Sequence, residues 1–87
     1  MEKTVIKFYS NGCGPCRVYA PTFERVKQDL QDIVKFVEVD VNQDNENLSA
    51  KYKVRGIPMT ILLEEDQVKK SQTGRMSEDQ LKQFILN

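Results

Sequence analysis

The chain has 87 residues, 39% hydrophobic and 30% charged, with 13 basic and 13 acidic side chains and no histidine. That length suits one domain, residues 1–87, with a small core. Balanced charge offers no basic excess for nucleic acid and no polyanionic tail. No apolar run is long enough for a membrane span or a signal peptide, since Lys7 interrupts the first one.

Residues 4–9 (Thr-Val-Ile-Lys-Phe-Tyr) are rich in β-branched and aromatic types and read as a strand. Ser10-Asn11-Gly12 is turn composition that ends it. Cys13 then falls in the N-cap region of a helix, and Pro15 in its first turn, where a missing N–H costs nothing. The helix is predicted from about Gly14 to Gln31, with an apolar stripe of Val18, Phe23, Val26 and Leu30, joined by Tyr19. Pro21 lies inside that stripe and predicts a kink rather than two helices.

Partial alternation between Ile33 and Val41 predicts a second strand, with Val34, Phe36, Val37, Val39 and Val41 set against Lys35, Glu38 and Asp40. Asn42-Gln43-Asp44-Asn45 is a loop with good capping residues, followed by a short helix from about Glu46 to Tyr52. Gly56-Ile57-Pro58 breaks the chain before an apolar strand, Met59 to Leu63. Glu64 to Gln67 forms a hairpin turn in which Asp66 takes a left-handed conformation. Val68 to Thr73 returns as a polar edge strand, and Gly74 marks a bulge or its end. Ser77-Glu78-Asp79-Gln80 is a capping box opening a last helix, with Leu81, Phe84 and Ile85 buried. The core is read as including Tyr52, Phe36, Phe23, Leu30 and Phe84.

The order β-α-β-α-β-β-α requires a right-handed parallel crossover first and an antiparallel hairpin last. The expected fold is α/β: a four-stranded mixed sheet in the order 2-1-3-4, flanked by three helices.

Both cysteines of the chain lie in one Cys-x-x-Cys motif. Two cysteines three apart cannot staple distant segments, so a reducing, cytoplasmic compartment is expected. At a strand-to-helix junction, open N–H groups and the helix dipole favour a thiolate at the first cysteine. The alternatives are an inert disulfide or half a zinc site, but zinc takes about four ligands and this chain has two cysteines and no histidine. No metal is expected.

Cys13-Gly14-Pro15-Cys16, the loop Val54-Arg55-Gly56-Ile57-Pro58, Pro21, Asp40 and Gly74 together resemble the thioredoxin family, in a shortened form lacking its extra N-terminal strand and helix. The resemblance implies a protein-disulfide reductase in which Cys13 is the nucleophile and Cys16 the resolving thiol. It implies that Gly14-Pro15 favours a reductant, that Pro58 is cis, and that the backbone at Ile57 pairs with the substrate strand. Gly12, Gly74 and Met76 would complete the substrate groove, Met76 being equally an ordinary contact before the last helix, and Arg17 is a solvated helix arginine or a stabiliser of thiolate.

Two departures stand out. Gly12 replaces the family's usual Trp, and Lys7 replaces a buried Asp beneath the second cysteine. Lys7 has three readings: a base if burial leaves it neutral, an electrostatic support for thiolate if charged, or a chain that snorkels to solvent.

The resemblance also implies a monomer without a bound cofactor, disulfide-containing protein substrates such as ribonucleotide reductase, and electrons from a flavin-dependent thioredoxin reductase. The rivals are a glutathione-reduced, glutaredoxin-like protein, a non-catalytic binding module on the same fold, and an iron–sulfur carrier dimer.

Overall fold

The computed structural model describes residues 2–87. Its strands are β1 (Lys3–Tyr9), β2 (Lys35–Asp40), β3 (Met59–Glu64) and β4 (Gln67–Thr73). Its helices are α1 (Gly14–Leu30), α2 (Leu48–Lys51) and α3 (Glu78–Leu86), with a 3-10 turn at Val41–Gln43. The sheet runs β2-β1-β3-β4, with β1 parallel to β2 and antiparallel to β3, and β3 antiparallel to β4. The expected order and mixed pairing are therefore observed.

Alternation along β1 divides the core. Val5 points to the α1–α3 side, joining Tyr19, Phe23 and Val26 of α1 and Leu81 and Ile85 of α3. Ile6 and Phe8 point the other way, packing with Val39, Met59, Ile61 and Leu63 beneath Leu48 and Tyr52 of the α2 region. α3 opens on the expected capping box, with Ser77 and Gln80 bonded reciprocally. Its last carbonyls accept from two lysines of the sheet, Lys3 to Ile85 O (2.9 Å) and Lys70 to Phe84 O (3.0 Å).

Several local expectations are corrected. Val18 is not in the buried stripe but 56% exposed. The buried line is Cys16, Tyr19, Phe23 and Val26, whose steps of three and four follow the helix period, whereas Val18 lies about 100° off it. As expected, Pro21 does not split α1 into two helices. α2 is a single turn rather than the longer helix expected, and its N-cap, Asn47, gives no side-chain bond. Asp44 does that work from the loop, accepting from Leu48 N (2.8 Å), Ser49 N (2.7 Å) and Ser49 Oγ (2.7 Å). These bonds hold its carboxyl below the usual carboxylate range. In the hairpin, Glu65 (φ 51°) joins Asp66 (φ 69°) in the left-handed region, as a two-residue turn matched to strand twist requires. Of the two expectations for Gly74, the strand end is the one observed: it follows Thr73, the last residue of β4, with φ 95°, and the register shift lies at Leu62/Leu63.

Candidate active site

Strand register builds the site. Because β1 and β3 are antiparallel with Phe8 opposite Met59, the chain leaving β1 toward Cys13 passes the chain entering β3 from Pro58. The Ile57–Pro58 peptide is cis, and Cys13 Sγ lies 3.9 Å from Ile57 O. Gly74 N donates to Pro58 O at 2.7 Å, tying the end of β4 to the same loop. Three segments distant in sequence are thus linked, Cys13 to Ile57 and Pro58 to Gly74.

Cys13 is the N-cap of α1, and its sulfur accepts from Cys16 N at 3.2 Å. Gly14 and Pro15 fill the first helical positions, where an N–H is not needed for the ladder. Cys13 and Cys16 form a disulfide with Cα atoms 5.2 Å apart, well inside the usual range. The two sulfurs differ in setting: Cys13 is partly exposed and Cys16 is 3% exposed. Segments 10–18, 53–58 and 73–77, which frame the pair, carry the exposed cations Arg17, Lys53, Arg55 and Arg75 and no carboxylate.

Beneath α1 the sheet presents a polar row. Lys7 is opposite Glu38 on β2 and Thr60 on β3. Lys7 and Thr60 are the buried polar residues of the core, and both stand in this row. Thr60 Oγ1 shares a 2.8 Å hydrogen bond with Tyr19 Oη, joining α1 to the strand that follows the cis-proline. Burial pushes the Tyr19 phenol up to about 12 despite that bond. Lys7 does not reach out to solvent as the snorkelling reading had it. Its side chain is 3% exposed, with Nζ 3.1 Å from Glu38 Oε1 and about equally far from the Phe23 (4.9 Å) and Tyr9 (5.1 Å) ring centroids.

The remaining predicted site residues divide. Ile57 O lies beside Cys13 Sγ, and Gly74 is tied to the adjoining Pro58. Gly12 is exposed, and a Cβ built on it meets nothing within 4 Å, so no packing demands a glycine there. Met76 is not in the groove. It is buried in the α1–α3 core with Tyr19 and Leu81, since it immediately precedes the cap of α3. Sequence reading missed Tyr19, Thr60 and Glu38. Pairing β1 and β2 in parallel would have put Glu38 beside Lys7, a signal that alternation alone does not carry.

A family model described as Thioredoxin matches residues 1–87. The chain is 39% identical over 84 residues to a thioredoxin of Mycoplasmoides gallisepticum, covering 97% of this chain and 82% of that protein. It is 31% identical over 81 residues to a thioredoxin of Pseudomonas aeruginosa, covering 93% and 74%. The structure of Fasciola hepatica thioredoxin superposes with a TM-score of 0.87 at 31% identity, over 97% of this chain and 78% of that one. With a cysteine pair at disulfide distance beside a cis-proline, the match extends from fold to reactive group: the chain belongs to the thioredoxin family and is a thiol–disulfide oxidoreductase that reduces protein disulfides.

Proposed function

We propose that Cys13 attacks and Cys16 resolves. The observation that carries this assignment is the asymmetry of the pair: Cys13 is the partly exposed N-cap facing the Ile57–Pro58 peptide, while Cys16 is buried one turn along α1. A Cys13 thiolate has the helix N-terminus and the Cys16 N–H to support its charge. It attacks one sulfur of the substrate disulfide, forming a mixed disulfide and releasing the other sulfur as a thiol. Cys16 thiolate then attacks Cys13 Sγ, closing the Cys13–Cys16 disulfide and expelling the second substrate thiol. Two electrons and two protons pass from the dithiol to the substrate.

The substrate runs as an extended strand against the backbone at Ile57, with Pro58 and Gly74 shaping the groove and Gly12 leaving it open on one side. Gly14-Pro15 favours the reductant direction. The working group is the cysteine pair itself, in a monomer without a bound cofactor in a reducing, cytoplasmic setting. Among the described residues no helix is long and apolar enough to cross a membrane.

A flavin-dependent thioredoxin reductase is the electron source in this reading, because Cys-Gly-Pro-Cys and Ile57-Pro58 are not the glutaredoxin pattern. The test is insulin-disulfide reduction driven either by NADPH with thioredoxin reductase or by glutathione. Turnover with the first and its loss in Cys13→Ser is the expected result. Turnover with glutathione alone overturns the donor, and undiminished function of the Cys13→Ser, Cys16→Ser double variant in its host overturns the catalytic reading in favour of a binding module.

A further inference from the structure

We propose that Tyr19 and Thr60 are positioning residues for protein substrates. Their buried hydrogen bond fixes the start of α1 against the strand that leaves the cis-proline, so that Cys13 meets a disulfide carried by a peptide held at Ile57. This rests on the reading that the substrate runs along the Ile57 backbone.

The geometry is specific to two turns of chain. Tyr19 follows Cys16 by three positions on the buried face of α1, and Thr60 follows Pro58 by two on β3. Their hydroxyls meet at 2.8 Å, with Tyr19 1% and Thr60 0% exposed. Among the described residues this is the one side-chain hydrogen bond between α1 and a strand. The other polar side-chain contacts of α1 stay within the helix or reach α3, as Arg25–Glu78 and Asp29–Lys82 do.

Such a bond adds direction where the rest of the interface has none. The apolar contacts of Phe23 and Val26 hold α1 on the sheet, but burial of apolar area is non-directional and resists separation more than sliding. A hydrogen bond is confined in distance and angle. An apolar pair of the same shape would hold the helix about as firmly, because the net gain from a buried hydroxyl pair is small. What the hydroxyls supply is register between the helix of the cysteines and the strand of the cis-proline.

Nothing closer to the thiols does this during the reaction. Cys13 Sγ lies 3.9 Å from Ile57 O, yet in a disulfide or mixed disulfide that sulfur carries no proton to donate. Tyr19 also supports the loop from its other side. It shares a core cluster with Met76, two residues beyond Gly74, whose N–H holds Pro58 O at 2.7 Å. A protein substrate pinned at Ile57 can present its disulfide to Cys13 only if the two segments are aligned. A small disulfide, free to approach Cys13 alone, has no such need.

The experiment compares two oxidants on the reduced protein in single turnover. One is insulin, followed by quenching with an alkylating agent and weighing the protein for its remaining thiols. The other is a chromogenic aryl disulfide, followed by release of coloured thiolate. In the Tyr19→Phe, Thr60→Val double variant both hydroxyls go and neither is left unpaired, so the urea midpoint should stay close to the original. Its rate with insulin should fall by about 5-fold or more, while its rate with the aryl disulfide changes by less than about twofold. Among single variants, Thr60→Ser keeps a hydroxyl and should react with insulin faster than Thr60→Val. An unaltered insulin rate in the double variant overturns the proposal, as does an equal slowing with both oxidants. So does a Thr60→Ser rate no better than that of Thr60→Val. If the unsubstituted protein reduces the aryl disulfide but not insulin, it is the reading of the substrate strand at Ile57 that fails.

Discussion

On the face of the sheet that carries α1, the row Phe36–Val5–Leu62 and the row Glu38–Lys7–Thr60 lie one pleat apart. The first meets Phe23 and Val26 and is apolar throughout, with the Phe23 and Phe36 rings edge-to-face at 5.6 Å. The second meets Cys16 and Tyr19, and each of its members has a hydrogen-bonding or ionic partner. Its polar groups are buried only where they are paired, which is the condition for such a row to cost the fold little. The two rows carry separate burdens: the apolar one holds α1 against the sheet, while the polar one sets what the thiols above it can do. Substitutions should therefore separate, with loss of stability in the first row and loss of chemistry in the second.

The largest effect belongs to the apolar row. Leu62 is buried at the centre of it, and Leu62→Ala removes apolar area and leaves a cavity, costing about 2–5 kcal/mol. In a chain of 87 residues that is a large part of the total stability, so urea unfolding should show a greatly lowered midpoint. A midpoint shift no larger than those of the polar-row variants below would break the comparison.

Tyr19→Phe comes next, and its effect depends on pH. The change keeps the ring and leaves Thr60 Oγ1, fully buried, without its 2.8 Å partner, a loss of about 1–2 kcal/mol near neutrality. Tyr19 in the fold keeps its proton up to about 12, against an ordinary value of 10.0. The folded state therefore binds more protons than the unfolded one between those values, and stability falls as pH rises through that window. Phenylalanine contributes no such slope. The gap between the two proteins should be widest at neutral pH and narrow above pH 10, read from paired urea midpoints. A gap independent of pH would mean that Tyr19 ionises as freely in the fold as outside it.

How visible these rows are from sequence follows from how local their causes are. The β3–β4 hairpin, the Ser77 cap and the Cys13–Pro15 helix start depend on neighbours within a few residues, and all were legible. The meeting of Cys13 with Pro58 was legible through the family resemblance, not through periodicity. The resemblance placed Lys7 beneath Cys16, but its pairing with Glu38 was not legible, because the two become neighbours only through a parallel register that crosses the whole of α1. Taken singly, Lys7 breaks an apolar strand and Glu38 looks like the solvent side of one. Val18 misled for a different reason. A helix start rich in apolar residues leaves the phase of the buried stripe open, and packing of Cys16 and Tyr19 against the sheet decides it. The capping loop before α2 was legible as a composition, but that Asp44 is its member that caps, four and five residues forward, was not.

The smallest expected effect on stability, and the sharpest test of the division between rows, is Lys7→Met. Removing one member of a buried ion pair usually destabilises strongly, because the abandoned charge stays buried. Here the abandoned member is Glu38, which is more than a third exposed and can take water in place of the ammonium. The methionine keeps most of the aliphatic volume and sets a thioether against the Phe23 and Tyr9 rings that now flank Lys7 Nζ. Stability should change by less than about 1 kcal/mol in either direction. The second thiol step should nonetheless slow, because the cleft beside Cys16 loses a cation that can support its thiolate. A variant that unfolds as readily as Leu62→Ala would show that Lys7 serves the fold. One that is stable and resolves its mixed disulfide at the original rate would show that the charge under Cys16 serves neither.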